Sequence, residues 1–121
     1  MKEHNEYYCN EGFEVIDVIE AYNLDFMDGN VLKYIARAGK KTPDSHEDYK
    51  KAVYYAKRRR LRSGRDISVV PMNVMEIVEA FSGDKPLCVK CLLFDVLVGL
   101  IKDKDTAAFI DFVNSTEPSS V

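Results

Sequence analysis

DGNVLKYIARAGKK, residues 28–41, is the stretch whose reading decides the fold. Asp28-Gly29-Asn30 is a turn tripeptide suited to start a helix, and Gly39 is suited to stop one. Between them Val31, Leu32, Ile35 and Ala38 are apolar at helical spacing. Lys33, Arg37, Lys40 and Lys41 fall at i, i+4, i+7 and i+8, which lines four cations along another face. Such a row either holds an anion, for example a nucleotide phosphate, or is a solvated helix face. Spacing alone leaves both readings open.

Working outward, neighbouring segments repeat the helical period. FEVIDVIEAY (13–22) is apolar over much of its circumference, with Glu14 and Asp17 one turn apart on its polar side. Asn23-Leu24-Asp25 is a break, and the first dozen residues are expected as an extended arm anchored by Tyr7 and Tyr8. Thr42-Pro43-Asp44-Ser45 ends one helix and caps the next, predicted over His46–Arg62. Its stripe is Tyr49, Ala52, Val53 and Ala56, with the stem of Arg60 at the end. The cationic run Lys57–Arg60 with Arg62 reads as a solvated helix end or as a nucleic-acid patch. After Ser63-Gly64-Arg65-Asp66, helices are predicted from Pro71 to Phe81, over Leu87–Ile101, and from Asp103 or Asp105 to Phe112. Leu87–Ile101 is apolar nearly all round and must be buried in a core or against another subunit.

These segments predict an all-α bundle of five or six helices in a single domain, 1–121. It divides into a basic part (12–65), an acidic apolar part (66–114) and a disordered tail (115–121). At 121 residues the chain is long enough to bury a core without staples. Net charge is −3, but residues 33–65 hold 12 cations against 3 acids, whereas residues 66–121 hold 4 against 9. The middle segment is therefore the place for a phosphate-bearing ligand, while overall acidity argues against a DNA-coating protein. No apolar run reaches the roughly 18 residues of a membrane span, so the expectation is a cytoplasmic protein. VIDVIEAY (15–22) and VMEIVEAF (74–81) share an amphipathic pattern, which explains their likeness without duplication.

Known catalytic motifs are absent. Position 34 is tyrosine and Gly39-Lys40 is followed by Lys41, so there is no P-loop, and there is no G-x-G-x-x-G, H-E-x-x-H or G-x-S-x-G. His4 and His46 are isolated and expected to be exposed; Cys88-Val-Lys-Cys91 reads as two buried small hydrophobes. What remains is a constellation: Glu14 and Asp17, spaced to hold a divalent cation; the cation row; and Asp48 and Lys51 beside Tyr54 and Tyr55. If the helices pack as neighbours, lysine and arginine can hold phosphate, tyrosine can stack a base and the carboxylates can hold Mg²⁺. The competing reading is a plain salt bridge from Glu14 or Asp17 to Arg37 or Lys33.

The register of Gly12, Glu14, Asp17 and Glu20, then Asp25-Phe26, Gly29-Asn30, Lys33-Tyr34, Arg37-Ala38-Gly39-Lys40, and Glu47-Asp48, Lys51-Ala52 and Tyr55 resembles a small phage-borne family labelled nucleotide kinase-like. The likeness covers residues 12–55. Where the family commonly has histidine-tyrosine near its start this chain has Tyr7-Tyr8, and Tyr54 stands where tryptophan is common. The resemblance implies phage origin, a compact helical domain, nucleotide handling and the host-cell cytoplasm. On that footing Asn30, Lys33, Tyr34, Arg37, Lys40, Lys41, Lys51 and Tyr55 are expected to bind nucleotide. Glu14, Asp17 and Arg37 are expected to be catalytic, with Glu14 and Asp17 on Mg²⁺ and ATP as phosphoryl donor. The expected activity is nucleoside-monophosphate phosphotransfer without a P-loop, by a homo-oligomer that covers Leu87–Ile101. The alternative is a non-catalytic binder: of a nucleotide signal in host defence, of nucleic acid, or of a host protein through the acidic back half. A metal-dependent nucleotide pyrophosphohydrolase ranks lower, because only one E-x-x-D pair is evident.

Overall fold

A computed structural model describes residues 9–10, 13–38, 45–60 and 73–116. Among them the chain forms a two-stranded antiparallel pair, β1 (Cys9–Asn10) and β2 (Phe13–Glu14), followed by six helices. These are α1 (Val15–Tyr22), α2 (Phe26–Arg37), α3 (His46–Ala56), α4 (Val74–Ser82), α5 (Leu87–Val98) and α6 (Asp103–Ser115). The bundle is all-α, as the periodicity predicts. Phe13 and Glu14 differ from expectation, pairing with Asn10 and Cys9 instead of opening the first helix.

Helix α2 starts earlier than the turn tripeptide suggests. Asp25 is its N-cap, accepting the backbone N–H of Asp28 at 2.8 Å on its side chain. With that donor satisfied upstream, Asp28, Gly29 and Asn30 become interior helix residues. Asn30 donates its own side-chain amide to the Phe26 carbonyl at 2.8 Å. Gly29 faces α1, where an added Cβ would meet the Ile19 side chain at 3.4 Å, the distance of ordinary packing.

The central helices are α2 and α5. Helix α2 packs against α1, α3, α4 and α5, and α5 packs against α2, α4 and α6. Val31, Leu32 and Ile35 on α2 and Val89, Leu92, Leu93, Val96 and Leu97 on α5 have no solvent exposure. Full burial of each such side chain stabilises by about 1.5–3 kcal/mol. The chain itself thus covers one side of α5, while Leu87 at its start is 72% exposed. Helix α5 also stops at Val98, short of Ile101, because Gly99 turns left-handed at φ 80° and Leu100 N–H bonds back to the Asp95 carbonyl at 2.9 Å.

Two further boundaries shift. Helix α4 begins at Val74, where the Asn73 side chain accepts the N–H groups of Met75 and Glu76 at 2.9 and 3.2 Å; Pro71 lies outside the described residues. Helix α3 ends at Ala56, not Arg62, and its exit tightens into i→i+3 bonds from Arg58 to Tyr55 and from Arg59 to Ala56. The tail expected from residue 115 and the arm anchored by Tyr7 and Tyr8 fall largely or wholly outside the described residues.

The tight exit carries Arg59 inward. Its Nε donates to Asp28 Oδ1 at 2.6 Å, and its Nη2 donates to the carbonyls of Asp95 and Leu100 at 3.1 and 2.6 Å. The expectation of a wholly solvated run Lys57–Arg60 is therefore corrected at its centre. Arg59, not Arg60, ends the buried stripe of α3, since the helix stops before the period reaches residue 60. His46 is likewise buried rather than exposed.

Candidate nucleotide-binding face

Helices α2 and α3 form an antiparallel hairpin, shown by pairings that progress in opposite senses: Arg37 with Asp48, Tyr34 with Tyr55 and Asp28 with Arg59. At its closed end Arg37 donates through Nε and Nη2 to Asp48 Oδ1, at 3.0 and 2.8 Å, with both side chains buried. Arg37 lies in the last turn of α2 and Asp48 in the first turn of α3, so each charge also suits its helix dipole. A salt bridge between packed helices is thus present at Arg37, with Asp48 as a carboxylate partner.

One turn along, Tyr34 is the centre of a cluster. Lys33 Nζ, Arg37 Cζ and Lys51 Nζ lie 5.4, 4.9 and 5.5 Å from its ring centroid. These are cation–π distances, and the three cations come from two helices. Tyr55, one turn beyond Lys51, stacks on Tyr34 with centroids 6.0 Å apart and planes inclined by 10°. Phe26 meets Tyr55 edge-on at 5.7 Å, and Tyr54 does so at 5.0 Å. Phe26 and Tyr54 are 68% and 53% exposed, so this aromatic group opens onto solvent.

Of the residues singled out from the sequence, Lys33, Tyr34, Arg37, Lys51 and Tyr55 are brought together. Asn30 spends its amide on the Phe26 carbonyl, within α2. Glu14 and Asp17 are half-buried at the start of α1, where each has a polar or charged interaction. Lys40 and Lys41 lie outside the described residues. Among the described residues no three His, Cys, Asp or Glu side chains gather as a metal site.

Sequence reasoning set Tyr54 beside the candidate site but gave no ligand role to Phe26; these are the two most exposed rings among the described residues. The signal was available: Phe26 is two turns before Lys33, and Tyr54 follows Lys50 by one turn. Cys88 and Cys91 are free and half-buried on α5, and burial holds the Cys88 thiol above its ordinary pKa, away from the reactive thiolate. Burial also pushes Tyr49 up to about 12, with Cys88 and Asp84 adding to it, so this phenol stays neutral between Phe109 and Phe112.

Residues 2–57 match a family model described as a protein of unknown function, DUF3310. That likeness spans β1 to α3 and the Tyr34 cluster, leaves α4–α6 outside, and carries no activity with it. No curated protein and no solved structure gives a match. Among the described residues no helix is long and apolar enough to cross a membrane.

Proposed function

We propose that this protein binds nucleotides on the α2–α3 face. The observation that supports the reading is the gathering of Lys33, Arg37 and Lys51 around the Tyr34 ring, beside an exposed aromatic. Cations on a π-rich surface suit a ligand that is anionic at one end and aromatic at the other. Lys33 and Lys51 hold the phosphate, and Phe26 with Tyr55 offers the base a stacking surface. Stacking of a base on an aromatic side chain is worth about 1–3 kcal/mol. Arg37, with Nε and Nη2 held by Asp48, fixes the hairpin and thereby the Tyr34 ring.

Binding is the conclusion; phosphotransfer would be an addition to it. Magnesium prefers one or two carboxylates together with substrate phosphates, so on this reading Mg²⁺ arrives with the nucleotide, and Glu14 with Asp17 is the carboxylate pair proposed for it. Thermal denaturation with nucleotides, with and without Mg²⁺, tests the proposal. A ligand that binds only the folded chain stabilises it by about 2.7 kcal/mol at a hundredfold excess over Kd. A saturable rise in Tm is expected, weakened at least tenfold in apparent affinity by Lys51→Glu, whose side chain is exposed. No rise with any nucleotide at millimolar concentration would overturn the reading. Diphosphate formed from a monophosphate and ATP would add turnover.

A further inference from the structure

The aromatic group has a second set of cations on its far side. Lys50, Tyr54, Lys57 and Arg58 fall at i, i+4, i+7 and i+8 along α3 and its exit, so they share a face. They line a cavity of about 370 Å³ floored by Val53 and by Val113 of α6. Its lining includes three cations and no carboxylate. Arg58 lies over the Tyr54 ring at 3.7 Å and donates to the Tyr54 carbonyl at 2.8 Å. Two ring-to-ring steps, of 6.0 and 5.0 Å, separate the cations gathered on Tyr34 from the guanidinium on Tyr54.

The order across this face is therefore cations, aromatic rings, cations. A mononucleotide carries phosphate at one end only and fills one half of that order. A dinucleotide joined through its phosphates carries them between its bases, the reverse order. A polynucleotide strand places a phosphate on either side of each nucleoside, with the base branching from the sugar between them, and the bases reach protein rings only where they are unpaired. We infer that the ligand class of this face is a short single-stranded oligonucleotide, running from the Lys33–Lys51 side across Tyr55 and Tyr54 to the cavity of Lys50, Lys57 and Arg58. The inference rests on the nucleotide-binding reading and extends it from one phosphate site to two.

The test is a length series, thymidine monophosphate and oligothymidylates of two, four and eight nucleotides, titrated calorimetrically into wild type, Lys57→Glu and Arg58→Glu at low and raised salt. Both replaced side chains are exposed, and circular dichroism checks that each variant is folded. Affinity is expected to rise at least tenfold from the monophosphate to the tetranucleotide. Its logarithm should fall more steeply with log salt for the longer ligand, as more phosphates are neutralised. Either variant should bring the ratio of tetranucleotide to monophosphate affinity down toward one. Equal affinity for monophosphate and tetranucleotide, an unchanged ratio in both variants, or equal binding of a duplex would overturn the inference while the nucleotide reading stands. Absence of binding by every ligand in the series would sink both.

Discussion

Arg59 without its guanidinium would take from the buried Asp28 carboxylate a cation at 2.6 Å, and two carbonyls at the C-terminal end of α5 would lose a donor. Asp28 and the Arg59 side chain are essentially inaccessible, and the pair joins α2, α3 and α5. Removing one partner of such a pair costs about 3–5 kcal/mol. Arg59→Met should therefore lower the urea midpoint by that equivalent, and adding Asp28→Asn should recover part of the loss. A shift under about 1 kcal/mol, the value typical of exposed pairs, would mean the pair is not closed off from solvent. Asp95 is the second residue with a clear signature. Burial, reinforced by the neighbouring Asp105 carboxyl and opposed by Lys102 and Arg59, pushes it up to about 7. An aspartate in the unfolded chain titrates near 3.9, so between about 4 and 7 the folded state binds more protons. Stability from this group is complete below that window and is lost as pH rises through it. Melting followed from pH 4 to 8 should show the decline, and Asp95→Asn should flatten it; a profile identical to wild type would refute the assignment.

Helix α2 was legible because Val31, Leu32 and Ile35 keep the helical period, and all three end in the core. Its start was not, because Asp28-Gly29-Asn30 has the composition of a turn. A side chain outside the tripeptide, Asp25, captures the Asp28 N–H, and a residue 31 positions downstream captures the Asp28 carboxylate. Local propensity contains neither event. The exit of α3 failed for the same reason: the period extends smoothly to Arg60, but Arg59 gains more from Asp28 than the helix gains from another turn. The pairing of Tyr34 with Arg37 and of Lys51 with Tyr55 along their helices was legible, since one-turn spacings survive whatever the helices pack against. The pairing of Arg37 with Asp48 was not, because the carboxylates are equivalent in the sequence until the hairpin brings Asp48 to 2.8 Å.

At the scale of the molecule, α5 and α2 form the shared core and the α2–α3 hairpin carries the proposed site on its outer side. Charge asymmetry along the sequence pointed to residues 33–65, and the Tyr34 cluster and the Arg58 cavity both fall there. The acidic back half supplies packing: α5 covers α2, and α6 covers α3 through Phe109 and Phe112 against Tyr49. Mapping a nucleotide onto the folded chain tests the central claim most directly. In a two-dimensional ¹⁵N–¹H NMR titration with a nucleoside monophosphate, saturable shifts are predicted for the amides of Lys33, Tyr34, Lys51 and Tyr55. The core of α5 should stay still. Spectra unchanged at millimolar nucleotide, or shifts confined to α4–α6, would contradict the account.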